Sequence, residues 1–163
     1  MNRMRKDEKG SVIGLPLDLM VIAVVMAVAV PSIWFLSGMY ARSQMKNDLE
    51  DDLEHIDRLM DDMSDGEAGE QRKVTITLSD NPMTSVEYIE AGGLAISDMM
   101  TLRYSIEGGR ERTYVFDEGA LTNHTRCRSR IFSLPSDGET FIIKNTGEKI
   151  LGKPVFEVRF IED

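Results

Sequence analysis

The side chains that most readily do chemistry are few in this chain of 163 residues: His55, His124 and the single Cys127. They stand on different predicted elements, His55 on a helix and the other two in a loop. Neither a zinc ligand set nor a Cys-His pair with a spaced third partner can be assembled from them. No glycine-rich loop follows a strand and opens a helix, so phosphate binding of that kind is unsupported. We therefore expect no enzyme activity and no cofactor.

Carboxylates are the second group with chemical potential, because they bind calcium. From Asn47 to Glu70 there are eleven Asp or Glu residues and one Arg. An EF-hand loop over Asp61 to Arg72 would place Met63 at a ligand position and Arg72 where the terminal glutamate belongs. We therefore expect no metal site, and we expect these acids to form a solvated face.

The third candidate is the junction between a charged leader, residues 1–10, and a long apolar segment. The leader has a net charge of +2, so the whole-chain charge of -9 leaves -11 for the rest. Leu19 to Gly38 carries no formal charge, and its length in a helix matches the ~30 Å hydrocarbon core of a bilayer. The pattern predicts a membrane span at 19–38, with the leader in the cytoplasm and the C-terminus outside.

A secretory signal would have a shorter apolar region and a small-residue cleavage site beyond it. Here the small residue, Gly10, lies before the apolar segment and directly follows Lys9. Ser11, Val12, Ile13 and Gly14 come next. In these residues the chain resembles a type IV pilin precursor with a class III type signal, most closely the archaeal type IV pilin-like proteins.

The resemblance implies that a prepilin peptidase cuts between Gly10 and Ser11 on the cytoplasmic side and leaves the apolar segment on the mature subunit. It also implies an assembly ATPase and a membrane assembly platform as partners. An uncleaved signal anchor is the alternative for the N-terminus.

The chain departs from bacterial pilins at the fifth mature position, where they carry a glutamate and this chain has Leu15. The nearest acid is Asp18. It either pairs with a neighbouring subunit's amine during assembly or stays hydrated near the membrane surface. Pro31 removes one backbone hydrogen bond and should bend the helix. Bacterial pilins also have a proline near this distance from the mature N-terminus, which adds to the resemblance.

The helical pattern continues beyond the membrane. Apolar residues recur at spacings of four and three and form one stripe, consisting of Leu49, Leu53, Ile56, Met60 and Met63. We predict one long helix over 11–64, whose acidic amphipathic part spans 47–63, and a linker at 65–71. The stripe should pack on the protein's own C-terminal domain, as the second half of the helix does in the family.

From residue 72 the period changes from 3.6 to 2, which predicts an extracytoplasmic β-domain over 72–163. Six to seven short strands are expected, with Phe156, Val158 and Phe160 on one face of the last. They are Val74 to Leu78, a hairpin of Met100 to Ile106 and Thr113 to Phe116 around Gly108-Gly109, Ile131 to Leu134, Phe141 to Ile143, and Val155 to Ile161. Thr146-Gly147 and Gly152 are predicted turns. The fold class is α+β, a long hydrophobic helix followed by a small antiparallel domain, either a sandwich or a curled sheet.

Two further observations concern the surface of the protein. Asn123 begins an Asn-His-Thr triplet, which is a candidate N-glycosylation site in a protein exposed outside the cell. The acidic balance argues against contact with nucleic acid, because no basic stripe is present to displace counterions from phosphates.

These observations predict a structural subunit of an archaeal type IV pilus-like surface filament, which polymerises through its apolar helix and serves adhesion or surface attachment. The mature form would lie at the cell surface, alone or mixed with other pilins. Two alternatives stay open. One is a single-pass, membrane-anchored extracytoplasmic binding or sensor module that does not polymerise. The other is a minor pseudopilin of a secretion or DNA-uptake machine.

Overall fold

A computed structural model of the chain describes residues 11–78, 81–93, 95–123, 130–135 and 138–161, with side chains from residue 17 onward. Within these residues a single α-helix, α1, spans Ser11–Ser64 and is followed by eight strands. The α+β class is therefore confirmed. Judged by the contacts that residues make with one another, the chain divides after Met39 into an apolar helical unit and a second unit that starts at Tyr40.

Helix α1 has the length that the sequence predicts. Good helix formers and the alternation of apolar and acidic residues sustain it, and it ends where Ser64 leads into glycine-rich chain. Ser11 to Leu15 are helical, so Pro16 does not mark the start of the helix. The helix also continues through Pro31, where the bend stays a prediction.

The strands form two open four-stranded sheets. They are β1 (Gln71–Thr75), β2 (Val86–Ala91), β3 (Thr101–Ile106), β4 (Arg112–Val115), β5 (Ala120–Thr122), β6 (Phe132–Ser133), β7 (Thr140–Ile150) and β8 (Lys153–Phe160). The first sheet has the order β1-β7-β8-β5, and the second has the order β4-β3-β2-β6. A 3-10 helix, Ile96–Met100, leads directly into β3.

One strand pairing departs from the antiparallel prediction. Strand β5 runs parallel to β8, with Ala120 opposite Val155, whereas the other pairs are antiparallel. A parallel neighbour requires a long connection, and here the chain between β5 and β8 contains β6 and β7. Two strands, β2 and β5, were not predicted. β5 is only three residues long and fully buried, so it shows no alternation.

The predicted turn at Thr146-Gly147 is wrong, because both residues belong to the hairpin strand β7. Thr146 and Gly147 lie inside β7, where the register shifts between Asn145 and Lys149 and Gly147 adopts a φ of 76°. This is a β-bulge, and glycine suits it because a positive φ costs it little. The chain reverses instead at Leu151-Gly152, a two-residue loop with positive φ at both positions.

Side chains from the helix and from both sheets share one hydrophobic core. The predicted stripe of α1 lies in it, and each member of that stripe is at most 1% exposed. Phe156 and Val158 of β8 are buried as expected, but Phe160, predicted on the same face, is 45% exposed at the end of the strand. A smaller cluster of Met99, Ala120 and Val155 lies apart from the main core.

Candidate functional site

The apolar segment of α1 is the first candidate for a functional surface. Fifteen large hydrophobic side chains from Leu17 to Met39 are exposed, each by between 52% and 71%. This part of the helix is long and apolar enough to cross a membrane by length and composition. A continuous apolar surface of this kind needs a cover of lipid or protein, because water around it is unfavourable.

The predicted assembly residues lie on this exposed segment. Asp18 is exposed, directly follows the first residue whose side chain is described, and carries the only formal charge between Leu17 and Met39. Pro31 is exposed as well, and beside it the Ser32 hydroxyl donates to the Val28 carbonyl at 2.7 Å. Whether Asp18 pairs with an amine of another subunit stays a prediction.

The predicted cleavage site falls at the edge of the description. Ser11 is the first residue of α1. Lys9 and Gly10 lie outside the described residues, so processing between Gly10 and Ser11 stays a prediction.

The acidic part of α1 is more than a solvated face, and the sequence expectation is corrected here. Asp57 accepts hydrogen bonds from the backbone N–H groups of Asp117 and Glu118, both at 3.1 Å. Asp52 accepts one from the N–H of Thr77 at 2.8 Å. These carboxylates satisfy backbone donors that follow β4 and β1, so they fix the β-domain to the helix.

A third carboxylate, Glu50, is held by a side chain of the second sheet. The Tyr104 hydroxyl donates to Glu50 Oε1 at 2.7 Å, and Lys46 pairs with Glu50 Oε2 at 2.9 Å. Burial acts to raise the pKa of Glu50, but the bonds from Tyr104 and Lys46 outweigh it and leave that pKa lowered. Burial, and then the Glu50 carboxylate, raise the pKa of Tyr104. The pair is therefore most stable as a neutral phenol and an ionised carboxylate.

Asp52 behaves differently from Glu50. Its pKa is raised, first by burial, and the hydrogen bond from Thr77 only partly opposes that effect. The nearby acids Asp48 and Asp51 add to the rise. The crowding of acids on this part of the helix thus has a local cost, which the bond from Thr77 offsets only in part.

The C-terminus of α1 is closed by Asn145 of β7. Its side-chain amide donates to the Met63 carbonyl at 2.7 Å, and its Oδ1 accepts from Gly147 N–H at 2.9 Å. Its backbone carbonyl accepts a hydrogen bond from the Gly69 N–H at 2.8 Å, and its backbone N–H donates to the Glu70 carbonyl at 2.9 Å. Carbonyls in the last helical turn have no partner within the helix, and that of Met63 is satisfied by this buried asparagine together with the Gly66 N–H, which donates to it at 3.1 Å.

Sequence reasoning missed these contacts for an identifiable reason. Asp52 and Asp57 look like other acids of the run, and only the position of the sheets distinguishes them from exposed neighbours such as Asp61. Asn145 carries a weak signal, since a lone asparagine before Thr146-Gly147 is typical of turns.

The surface around the candidate glycosylation site is partly described. Asn123 is exposed directly after β5, which leaves its side chain accessible. His124 and Cys127 lie outside the described residues. Glycosylation of Asn123 stays a prediction.

Among the described residues, no three His, Cys, Asp or Glu side chains come together as a metal site. Comparison of the chain with protein-family models, with curated proteins and with solved structures gave no match.

Proposed function

We propose that this protein is a structural subunit of an archaeal type IV pilus-like surface filament and that it polymerises through the apolar segment of α1. One observation carries the proposal: that segment exposes its apolar side chains on all sides, while the following helical turns bury theirs against the protein's own sheets. The first segment is thus available for lipid and then for other copies of the chain. The Lys9-Gly10-Ser11 junction supports the proposal from the sequence.

The physical chemistry of such assembly follows from the composition of the segment. In the bilayer a helix satisfies its own backbone hydrogen bonds. Moving the helix from lipid into a bundle of helices gains little from the hydrophobic effect, because lipid tails are as apolar as the side chains of neighbouring helices. Packing and an external energy source must therefore favour the filament, which is the task of the implied assembly ATPase. Removal of the leader's four basic residues lowers the cost of extraction.

The β-domain would then form the outer surface of the filament. Its exposed residues would contact surfaces or cells. The domain stays attached to its helix through the buried stripe of α1 and through Asp52 and Asp57.

Mass spectrometry of the native protein tests the processing step. We expect protein extracted from membranes to begin at Ser11, and we expect a Gly10→Val variant to keep its leader. Gly38→Val is the matched control, because a side chain added at Gly38 meets nothing within 4 Å in the structure. Native protein that still begins at Met1 would contradict the pilin proposal.

Electron microscopy of material sheared from cells tests polymerisation separately. Filaments that contain this chain, and that disappear in the Gly10→Val variant, are expected. A chain that is cleaved but absent from filaments would be a minor pseudopilin. An uncleaved chain that stays in the membrane would be an anchored binding or sensor module.

A further inference from the structure

A cavity of about 340 Å³ opens on the second unit, and four basic side chains line it. They are Arg42 and Lys46 of α1 together with Arg110 and Arg112 of the β3–β4 hairpin. We call these four residues and the cavity between them the basic pocket. Tyr104 and Ile106 also line it.

The basic pocket has an excess of positive charge. Lys46 is paired with Glu50, whose carboxylate also accepts from Tyr104. Within the described part of the chain, Arg42, Arg110 and Arg112 form no salt bridge. Three guanidinium groups therefore lie around one cavity without a salt bridge, although the Glu50 carboxylate attracts Arg112 at longer range.

The acids of the hairpin are engaged elsewhere. Glu107 accepts a hydrogen bond from Ser85, and Glu111 accepts one from Tyr88. Both partners precede or belong to β2, on the neighbouring part of the second sheet. The hairpin therefore presents arginines to the cavity while its glutamates bond other groups.

The backbone of the hairpin is shaped for Arg42. A Cβ built on Gly108 would come within 2.5 Å of the Arg42 guanidinium, and Gly108 has a φ of 67°. Glycine is thus needed twice here, for the positive φ and for the close approach. The guanidinium of Arg42 is held against the turn that also carries Arg110.

Phosphate is the ligand chemistry that this arrangement favours. The planar guanidinium fork matches phosphate oxygens in a bidentate geometry, and several such groups around one cavity suit a compact anion. The cavity volume is at the lower end of the range for small-ligand sites, which a lipid headgroup fits.

Chain connectivity places the basic pocket near the membrane surface. Arg42 follows Gly38, the last residue of the uncharged run, by only four residues. Four residues reach at most about 14 Å in any conformation. A bilayer's headgroup layer adds roughly 5 to 8 Å beyond each face of its hydrocarbon core, so the Arg42 side chain can reach it. We propose that the basic pocket binds the phosphodiester headgroup of an anionic membrane lipid while the subunit is stored in the bilayer.

This contact would solve an electrostatic problem. Beyond the leader the chain has a net charge of -11, and an anionic membrane surface repels it. Three arginines without a salt bridge, one of them four residues beyond the uncharged run, give the acidic domain one attractive point on that surface. The inference requires membrane insertion but not polymerisation, so a failure of filament assembly would leave it standing.

Native mass spectrometry of the full chain in detergent micelles tests the proposal. Phosphatidylglycerol and phosphatidylcholine are added at equal concentration, and the ratio of the two bound lipids is measured. The wild type should prefer phosphatidylglycerol. The double variant Arg110→Gln/Arg112→Gln should lose about 25-fold of that preference, since each basic residue near an anionic surface contributes roughly fivefold.

The matched control is Arg72→Gln/Arg159→Gln, which removes the same charge from two exposed positions of the first sheet that are each paired with a glutamate. It should leave the preference within twofold of the wild type. Circular dichroism must show equal folding of both variants. If the Arg110/Arg112 double variant does not fold, Arg42→Gln alone replaces it, with an expected loss of about fivefold in the preference for phosphatidylglycerol.

Two further measurements distinguish a lipid headgroup from a free anion and from the acids of a second copy of the chain. Inorganic phosphate alone, added at millimolar concentration, should not displace bound phosphatidylglycerol; displacement would overturn the lipid proposal in favour of a free anion. If the Arg110/Arg112 variant kept its lipid preference but lost dimers from the mass spectrum, the pocket would instead bind the acids of a second copy. Equal preference in wild type and variant would overturn the proposal outright.

Discussion

The two halves of helix α1 show the same secondary structure and opposite relations to their surroundings. From Leu17 to Met39 the large apolar side chains are exposed whichever way they point. From Met45 to Met63 the apolar side chains form one stripe, and that stripe is buried among strands of both sheets. The difference teaches that helical periodicity alone does not decide burial. A helical segment packs on the protein's own sheets when only one of its faces is apolar and the other faces are polar.

Removal of a buried leucine should separate the halves most clearly. Leu53→Ala leaves a cavity in the main core, and we expect it to lower the free energy of unfolding of the β-domain by about 2 to 5 kcal/mol. Leu36→Ala, the same change on the exposed half, should leave it within about 0.5 kcal/mol. Near-ultraviolet circular dichroism during denaturant unfolding in micelles measures both. Equal effects of the two changes would mean that the exposed half is also part of the folded core.

A charge placed in each half should give the opposite ranking for membrane insertion. Val25→Arg puts a guanidinium in the middle of the apolar segment, at an apparent cost of about 2.5 to 3.5 kcal/mol for insertion. Gln44→Arg, on an exposed position of the second half, should insert like the wild type. Carbonate extraction of cell membranes measures the inserted fraction. If Val25→Arg were retained as well as Gln44→Arg, the segment would not cross the hydrocarbon core.

The carboxylate contacts of the second half allow a finer test. Asp57→Ala removes the acceptor of two backbone N–H groups, and we expect a loss of about 1 to 3 kcal/mol in unfolding free energy. Asp61→Ala is the control, since Asp61 is exposed on the same helix and should change stability by less than about 0.5 kcal/mol. Thermal unfolding followed by circular dichroism compares them. An equal loss from both would show that general charge repulsion, and not docking, governs this face.

The smallest expected effect concerns pH. Tyr104 has a raised pKa in the folded protein, so its neutral form contributes stability that is present below the unfolded pKa near 10 and is lost as pH rises above it. Glu50 has a lowered pKa, so its contribution is present above about pH 4.5 and is lost as pH falls.

We expect Tyr104→Phe to cost about 1 kcal/mol at pH 7 and to make the loss of stability between pH 9 and 11 shallower than in the wild type. Denaturant titrations at a series of pH values measure this slope. Tyr40→Phe, at an exposed position, is the control and should keep the wild-type slope. An unchanged slope in Tyr104→Phe would mean that this phenol does not govern the alkaline limb.

The sequence predicted the helix and its buried stripe well because both depend on local periodicity. The extent of α1 and the burial of Leu49, Leu53 and Ile56 follow from spacing alone. Strand β5 and its parallel pairing with β8 could not be predicted, because three buried residues carry no alternation and the partner is distant in the chain. The roles of Asp57 and Asn145 were also hidden, since each depends on a backbone group brought near only by the tertiary fold.

The basic pocket was overlooked for the same reason. Arg42 and Lys46 are far in sequence from Arg110 and Arg112, and the net charge of the chain is negative, so the sequence shows no cluster of these four residues. Only the packing of the β3–β4 hairpin beside the helix makes them one site.

The bonds of Asn145 also define a mechanical path. A pull along the second half of α1 reaches Met63, passes through the Asn145 amide, and enters β7, a strand that is paired on one side with β1 and on the other with β8. A strand held by two ladders must break both before it can leave the sheet. The backbone of α1 leads into the edge strand β1, so force on the helix reaches β1 through the chain and the interior strand β7 through Asn145, and the β1–β7 ladder shares it.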